Sequence, residues 1–308
     1  MPKPLLNTGY RPPDIPDVRN FVLEKAQPIA PFPTSFKTDL TQLGVYHQHD
    51  ISDCVENGIT LVKRYHDFKN TNVVEDLSRR FLAALTVKKD GFPLTDGTSV
   101  ENALGIAHNQ GICESTYFVD DHTLDSATFS DYNLIPTQAY QNALTHTIAS
   151  YAFVSDKSFV GIKNAIYQNG VVVLAVTLDK NWWTAPNGNP SWQAADILPL
   201  RIPTDKASWS GHVVVAYAYD ENFIYIWNSF SDQWGYQGHG WFGPEYCKFI
   251  GEAATIVDLT ADQIQKAKDA TQIVNTIDTL KQVETPQNAS LIASIVSTLW
   301  AKFLSLFS

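Results

Sequence analysis

The stretch Gln48-His-Asp-Ile-Ser-Asp-Cys-Val-Glu-Asn57 constrains this chain more than any other. Behind Cys54, the residues Val55, Ile59, Val62 and Tyr65 recur at i, i+4, i+7 and i+10, one apolar face of a helix. Asp53 is placed as its N-cap, and Glu56 three residues later as the partner in a capping box. Cys54 then falls in the first turn, where unpaired N–H groups and the helix dipole favour an anion. A thiolate is such an anion, and only the thiolate is nucleophilic. By itself a lone cysteine is more often a buried structural thiol.

The second half of the chain changes that weighing. Gly170-Val-Val-Val-Leu-Ala-Val-Thr177 is a continuous, mostly β-branched run, the pattern of a buried strand, preceded by a short helix over Lys157–Gln168. Val213–Tyr219 and Phe223–Trp227 read as a hairpin joined at Asp220-Glu-Asn222. His212 begins one strand and Asn228 ends its partner, so antiparallel pairing makes the two neighbours, and a hydrogen bond between them follows. Earlier, Val74–Val87 has a helical pattern. Asp96–Gly111 reads as a loop and a helix closed by Gly111.

In order and flanking pattern these residues resemble the papain-like cysteine peptidases over about residues 9–258. Gln48 precedes Cys54 as the family's oxyanion-hole Gln precedes its nucleophile. His212 lies in a Gly-His-Val-Val strand, Asn228 opens Asn-Ser-Phe, and Trp234-Gly235 follows. The resemblance implies an α+β, two-lobed fold with a helical lobe and an antiparallel, β-barrel-like lobe. It also implies catalysis by Cys54, with His212 as base, Asn228 orienting the imidazole, and Gln48 with the Cys54 N–H receiving the oxyanion. Gly97 and Thr98 match the strip that pairs with substrate backbone, and Phe230 and Asp53 are expected to border the substrate. Cys113 matches a loop that is not catalytic. The Cys-to-His spacing exceeds the roughly 130–150 residues quoted for papain and cathepsins, which implies an insertion, assigned to Trp182–Ser208.

Four positions depart from the family pattern. Ser52-Asp53-Cys54-Val55 replaces Gly-Ser-Cys-Trp, and Phe230 replaces the Trp that shields the His–Asn bond. A carboxylate about 6 Å from the thiol, at an effective dielectric near 20, disfavours the thiolate by roughly 2–3 kcal/mol. The alternative to an active peptidase is therefore a weak or inactive papain-like module docked in a larger assembly such as a virion.

The remaining features set the surroundings. A net charge of −10 and a pI near 5.2 argue against a nucleic-acid surface. Three cysteines and no apolar run in Met1–Asn7 point away from a disulfide scaffold and a signal peptide, toward a cytoplasmic or virion-associated protein. No metal or cofactor is expected; His47 and His49, flanking Gln48, read as solvated polar residues. The Pro-rich segment 1–33 reads as an extended arm. Its Gly9–Arg19 resembles the leader of the bacterial, archaeal and phage-type branch of the family. The 53 residues before Cys54 leave no room for the family's long helical pro-region, so any restraint on activity needs another device. The peptidase domain is placed at 34–259, with lobes at about 50–140 and 141–259, and a helical tail at 260–308. Thr260 and Gln263 form a capping box for a helix to about Val283, and Glu284–Asn288 breaks it. Ser290–Phe307 is then amphipathic, with Leu291, Ile292, Ile295, Val296, Leu299, Trp300, Phe303, Leu304 and Phe307 on one stripe. Helix 290–307 is expected to dock on a partner or self-associate. Packing on its own domain and, less readily with only Lys302 for charge, a membrane surface are the alternatives.

Overall fold

The computed structural model describes residues 8–13, 23, 31–182, 199–285 and 288–306. Helix α1, Cys54–Thr71, is its centre: every residue from Cys54 to Asp67 is buried. Val55, Ile59 and Val62 pack as their spacing requires. The opposite, polar face is buried as well, because its charges find partners inside. Lys63 Nζ meets Asp258 Oδ1 at 2.9 Å and also pairs with Asp67. Arg64 donates to the Leu43 carbonyl at 3.1 Å and to the Tyr46 hydroxyl at 2.8 Å.

Strands β1 (Phe36–Lys37), β2 (Ile148–Phe153), β3 (Val172–Leu178), β4 (Ser210–Tyr219), β5 (Ile224–Trp227), β6 (His239–Phe242) and β7 (Ile250–Asp258) form one antiparallel sheet. Its order is β2-β7-β3-β4-β5-β6, with β1 added to β4, and it is open, since no ladder among the described residues joins β2 to β6. β3 and β4 lie mid-sheet and are covered on both faces, which is why they read as continuous apolar runs. Val173, Ala175, Val213 and Val215 face the α1 side. Val172, Leu174, Val176 and Val214 face Ile162 and Ile166 of another helix, Phe159–Asn169. Gly58 lets α1 approach β4, since a Cβ there would meet Val213 Cγ1 at 2.6 Å.

Helices α2 (Arg79–Asp90) and α3 (Val100–Asn109) pack on the other side of α1. α4 (Ser126–Phe129) and α5 (Thr137–Ala143) follow, then α6 (Phe159–Asn169) behind the sheet. α2 starts five residues later than the apolar pattern from Val74 indicates. Ser78 is its cap, accepting from the Phe81 N–H at 3.0 Å, while Val73 and Val74 are exposed. The cap expected for α1 is also overturned. The Asp53 side chain makes no capping hydrogen bond. Glu56 turns inward and accepts from the Thr86 hydroxyl at 2.8 Å.

The tail forms α7 (Ala261–Gln282) and α8 (Ala289–Ser305). α7 opens with the reciprocal Thr260–Gln263 capping box and buries Ile264, Ala270, Ile273 and Ile277. On α8 Ile292 is buried, while Leu291, Ile295, Trp300 and Leu304 are exposed. Among the described residues no helix is long and apolar enough to cross a membrane. Cys54, Cys113 and Cys247 are all free and buried.

Glu56 yields a stability prediction. Burial, with the Asp53 charge added, pushes its carboxyl up to about 8, the Thr86 hydrogen bond opposing. A carboxyl whose folded pKa lies above its unfolded value stabilises the fold while protonated. That stability is lost as pH rises from the unfolded pKa through the folded one. Between about pH 5 and 8 the wild-type protein should lose up to about 1.4 kcal/mol per pH unit relative to Glu56→Gln. Denaturant unfolding at several pH values checks this, and parallel profiles for the two proteins would refute it.

Candidate active site

β4 and β5 pair with Val215 opposite Trp227, and Asp220 Oδ1 accepts from the Asn222 and Phe223 N–H groups, both at 2.8 Å, to turn the hairpin. This brings His212 and Asn228 together, with His212 Nε2 2.7 Å from Asn228 Oδ1. Two aromatic rings shield the pair. Phe230 stacks on the imidazole at 4.6 Å and 25°, and Trp182 meets it edge-on at 5.9 Å. Trp182 is held by Trp234, whose Nε1 donates to the Trp182 carbonyl at 2.8 Å. Of the insertion assigned to Trp182–Ser208, residues 183–198 lie outside the described residues.

Gln48 reaches the same place from the other side. Its Oε1 accepts from the Ser229 hydroxyl at 2.6 Å, which turns Nε2 toward the start of α1. There Nε2 donates to the Thr8 carbonyl at 3.2 Å, and the backbone N–H of Cys54 donates to the same oxygen at 3.1 Å. Two donors, one of them the first orphan N–H of α1, thus converge on one peptide oxygen beside the thiol.

That oxygen belongs to the N-terminal arm, which runs through the cleft. The Thr98 N–H donates to the Gly9 carbonyl at 2.9 Å and the Arg11 N–H to the Thr98 carbonyl at 2.8 Å, a parallel bridge between Tyr10 and Thr98. The Thr8 hydroxyl donates to the Gly211 carbonyl. Contacts are close enough to require glycine. A Cβ on Gly9, at φ +107°, would lie 2.1 Å from the Ser52 carbonyl oxygen, and one on Gly97 would lie 2.4 Å from the Gly9 oxygen. The part of the Gly9–Arg19 leader beyond residue 13 lies outside the described residues.

Under this cover burial favours the neutral forms of both Cys54 and His212. Burial, then the Glu56 and Asp53 charges, pushes the Cys54 thiol well up, against hydrogen bonds from the Val213 N–H and Thr8. Burial pushes His212 down to about 4, the Asn228 bond opposing. Among the described residues His212 Nδ1 has no hydrogen-bond partner, so the thiol and the imidazole are not hydrogen-bonded to each other. Asp53 is fully buried beside His122, with Nε2 3.4 Å from Oδ2. Burial raises its pKa, while His122 and Arg79 pull it down. His47 and His49 stack at 3.8 Å, and His49 lies 5.4 Å from His122.

Sequence reasoning did not single out Thr8, Ser229, His122 or Arg79, took Trp182 only as part of an insertion, and gave Glu56 a capping role it does not have. Spacing could not find them, because each reaches the site through contacts far apart in the chain.

No protein-family model matches the sequence, and no curated protein sequence matches it. Solved structures do match its fold. Xylellain, a cysteine protease from Xylella fastidiosa, superposes with a TM-score of 0.68 at 22% identity, covering 83% of this chain and 97% of that one. The digestive procathepsin L 3 of Tenebrio molitor larval midgut gives 0.61 at 15% identity, over 82% of this chain and 77% of that one. The Carica candamarcensis cysteine protease CMS1MS2 gives 0.56 at 17% identity, over 74% and 99%. The chain has the papain-like cysteine protease fold.

Replacing Gly9 tests whether the arm covers the thiol in solution. An alanine at that φ costs about 1–3 kcal/mol before its clash with Ser52 is counted, and each 1.4 kcal/mol is about tenfold. Gly9→Ala should therefore raise the rate of Cys54 alkylation by about tenfold or more and move its pH profile downward. Cys113 and Cys247 should react no faster than before. An unchanged Cys54 rate would show that the arm does not limit access.

Proposed function

We propose that this chain is a cysteine endopeptidase that hydrolyses peptide bonds in peptide or protein substrates and is held closed by its own N-terminal arm. The observation that carries the reading is the Thr8 carbonyl. A peptide oxygen already sits between the Cys54 N–H at 3.1 Å and Gln48 Nε2 at 3.2 Å. A substrate carbonyl placed there would carry its developing negative charge against the same two donors. Once the arm leaves, water enters, the desolvation that keeps Cys54 neutral relaxes, and His212 Nδ1 is free to take the thiol proton. The thiolate attacks the carbonyl carbon, and the C–N bond breaks as His212 protonates the departing amine. Water then releases the acyl group and restores the thiol. Asn228 keeps the imidazole aligned and moves no proton. An extended substrate would pair with Gly97 and Thr98 where Tyr10 now lies.

A second reading is favoured by the tail. Four large apolar side chains of α8, Leu291, Ile295, Trp300 and Leu304, are exposed. These fit a papain-like module without activity, docked through helix 290–307 in an assembly such as a virion.

Peptide hydrolysis by the Gly9→Ala protein separates the two. Cys54→Ala and His212→Ala should each abolish turnover, and Asn228→Ala should leave a residue of it. Gln48→Ala should lower kcat by about a hundred- to a thousandfold, the usual cost of one oxyanion donor. Turnover undiminished by Cys54→Ala would sink the peptidase reading. No turnover and no selective labelling of Cys54 by an active-site-directed electrophile would establish the module reading.

A further inference from the structure

A second cluster of chemically active side chains lies at the opposite end of α1. His146, on the turn after α5, is buried, and its two ring nitrogens face different partners. Nδ1 lies 3.3 Å from Asp67 Oδ2. Nε2 makes no well-aligned hydrogen bond among the described residues, yet it lies between two carboxylates: Glu75 Oε2 at 3.1 Å and Glu114 Oε1 at 3.6 Å. One ligand atom from each of Glu75, Glu114 and His146 can be chosen so that all three lie within 4.8 Å of one another.

We propose that Glu75, Glu114 and His146 bind a divalent transition-metal ion, with Zn²⁺ the best fit to the donor set. One imidazole and two carboxylates, with water completing the shell, suit that ion. Bonds of about 2.0–2.2 Å arranged tetrahedrally set ligand atoms about 3.3–3.5 Å apart, and the observed gaps of 3.1 and 3.6 Å bracket that edge. The surroundings have the form that metal-ligating histidines take. Asp67 receives the other ring nitrogen, fixing the tautomer that leaves Nε2 free to ligate. Asn142 Nδ2 donates to Glu114 Oε1 at 2.9 Å, and Lys268 holds Glu75 Oε1 at 2.6 Å, leaving Oε2 turned to His146. Charge points the same way. Among the described residues, Asp67, Asp258, Glu75 and Glu114 pair with only two lysines, Lys63 and Lys268, so a neutral His146 leaves two of these negative charges without a lysine partner there. A cleft of about 420 Å³, bordered by Glu114, Asn142 and Lys268, gives access from solvent. The ion would fasten the loops before α2 and before α4 to the turn under α7.

The test uses the full-length chain carrying Cys54→Ala, so that the thiol cannot bind metal and no activity is needed as readout. After EDTA treatment, one equivalent of Co²⁺ should bind with visible d–d absorption and without a thiolate charge-transfer band. Zn²⁺ should displace it and raise Tm with concentration. Asp67→Asn should weaken binding by about 10–100-fold, and His146→Gln or Glu114→Gln by at least as much. Glu114 is one-third exposed at the rim, so Glu114→Gln carries the test if His146→Gln fails to fold. No saturable binding would overturn the proposal. So would an affinity that survives Glu114→Gln but falls with His49→Gln, which would place the metal on the surface histidines. His146 would then be an imidazolium clasp alone.

Discussion

The first N–H groups of a buried helix must find acceptors, and most of this molecule follows from how α1 meets that demand. Its N-terminus is out of solvent's reach, and Asp53, the residue placed to cap it, turns its carboxylate toward His122 instead. The Cys54 N–H is therefore left for whatever carbonyl enters the cleft. In the closed chain that carbonyl is Thr8's; under the peptidase reading it is the substrate's. Gln48 doubles the donor, and Ser229 sets the orientation of Gln48. Under that reading the oxyanion hole would be an uncapped helix end given a second donor.

The same burial disfavours the charged forms of Cys54 and His212. The helix dipole favours a thiolate at Cys54, but desolvation works against it, and Glu56 and Asp53 add to the penalty. Asp53 does not act as a bare charge, because His122 and Arg79 face it. That is a milder burden than a lone carboxylate near the thiol would impose. Desolvation is the largest of these effects, so under the peptidase reading displacement of the arm, rather than the residue before Cys54, would be the main control on reactivity.

How much was legible in the sequence follows the range of each contact. The His212–Asn228 neighbourhood could be read because one hairpin with a short turn makes it local. The β3 and β4 runs were legible because burial on both faces leaves no polar position in the pattern. The Thr260–Gln263 box was legible too, being wholly within four residues. The Asp53–Glu56 box had equally good spacing and does not form. Its solvent-exposed precondition fails: Glu56 has Thr86 to accept from, and Asp53 has His122. Likewise the polar face of α1 looks solvated in sequence and is buried in fact, since Asp258 and the Leu43 carbonyl arrive from distant segments. Trp182, Ser229 and Thr8 belong to the same class, with no local signal to find them.

The two chemically loaded ends of α1 are therefore linked problems. Cys54 and Asp67 lie about 20 Å apart along one helix, and that helix cannot slide, because Gly58 is fitted against Val213 and both faces are packed. Lys63 bridges Asp67 to Asp258 and so ties the far half of α1 to the last strand of the sheet. His146 and Lys268 extend the tie to the turn before β2 and to α7. His146 is thus one of the contacts that anchor the far end of the helix carrying Cys54. Near Cys54 the constraint is opposite in kind. There the Cys54 N–H is met by a carbonyl from the arm; under the peptidase reading that oxygen would be exchanged for the substrate's, and a helix fixed at its other end would hold the donor in place between the two.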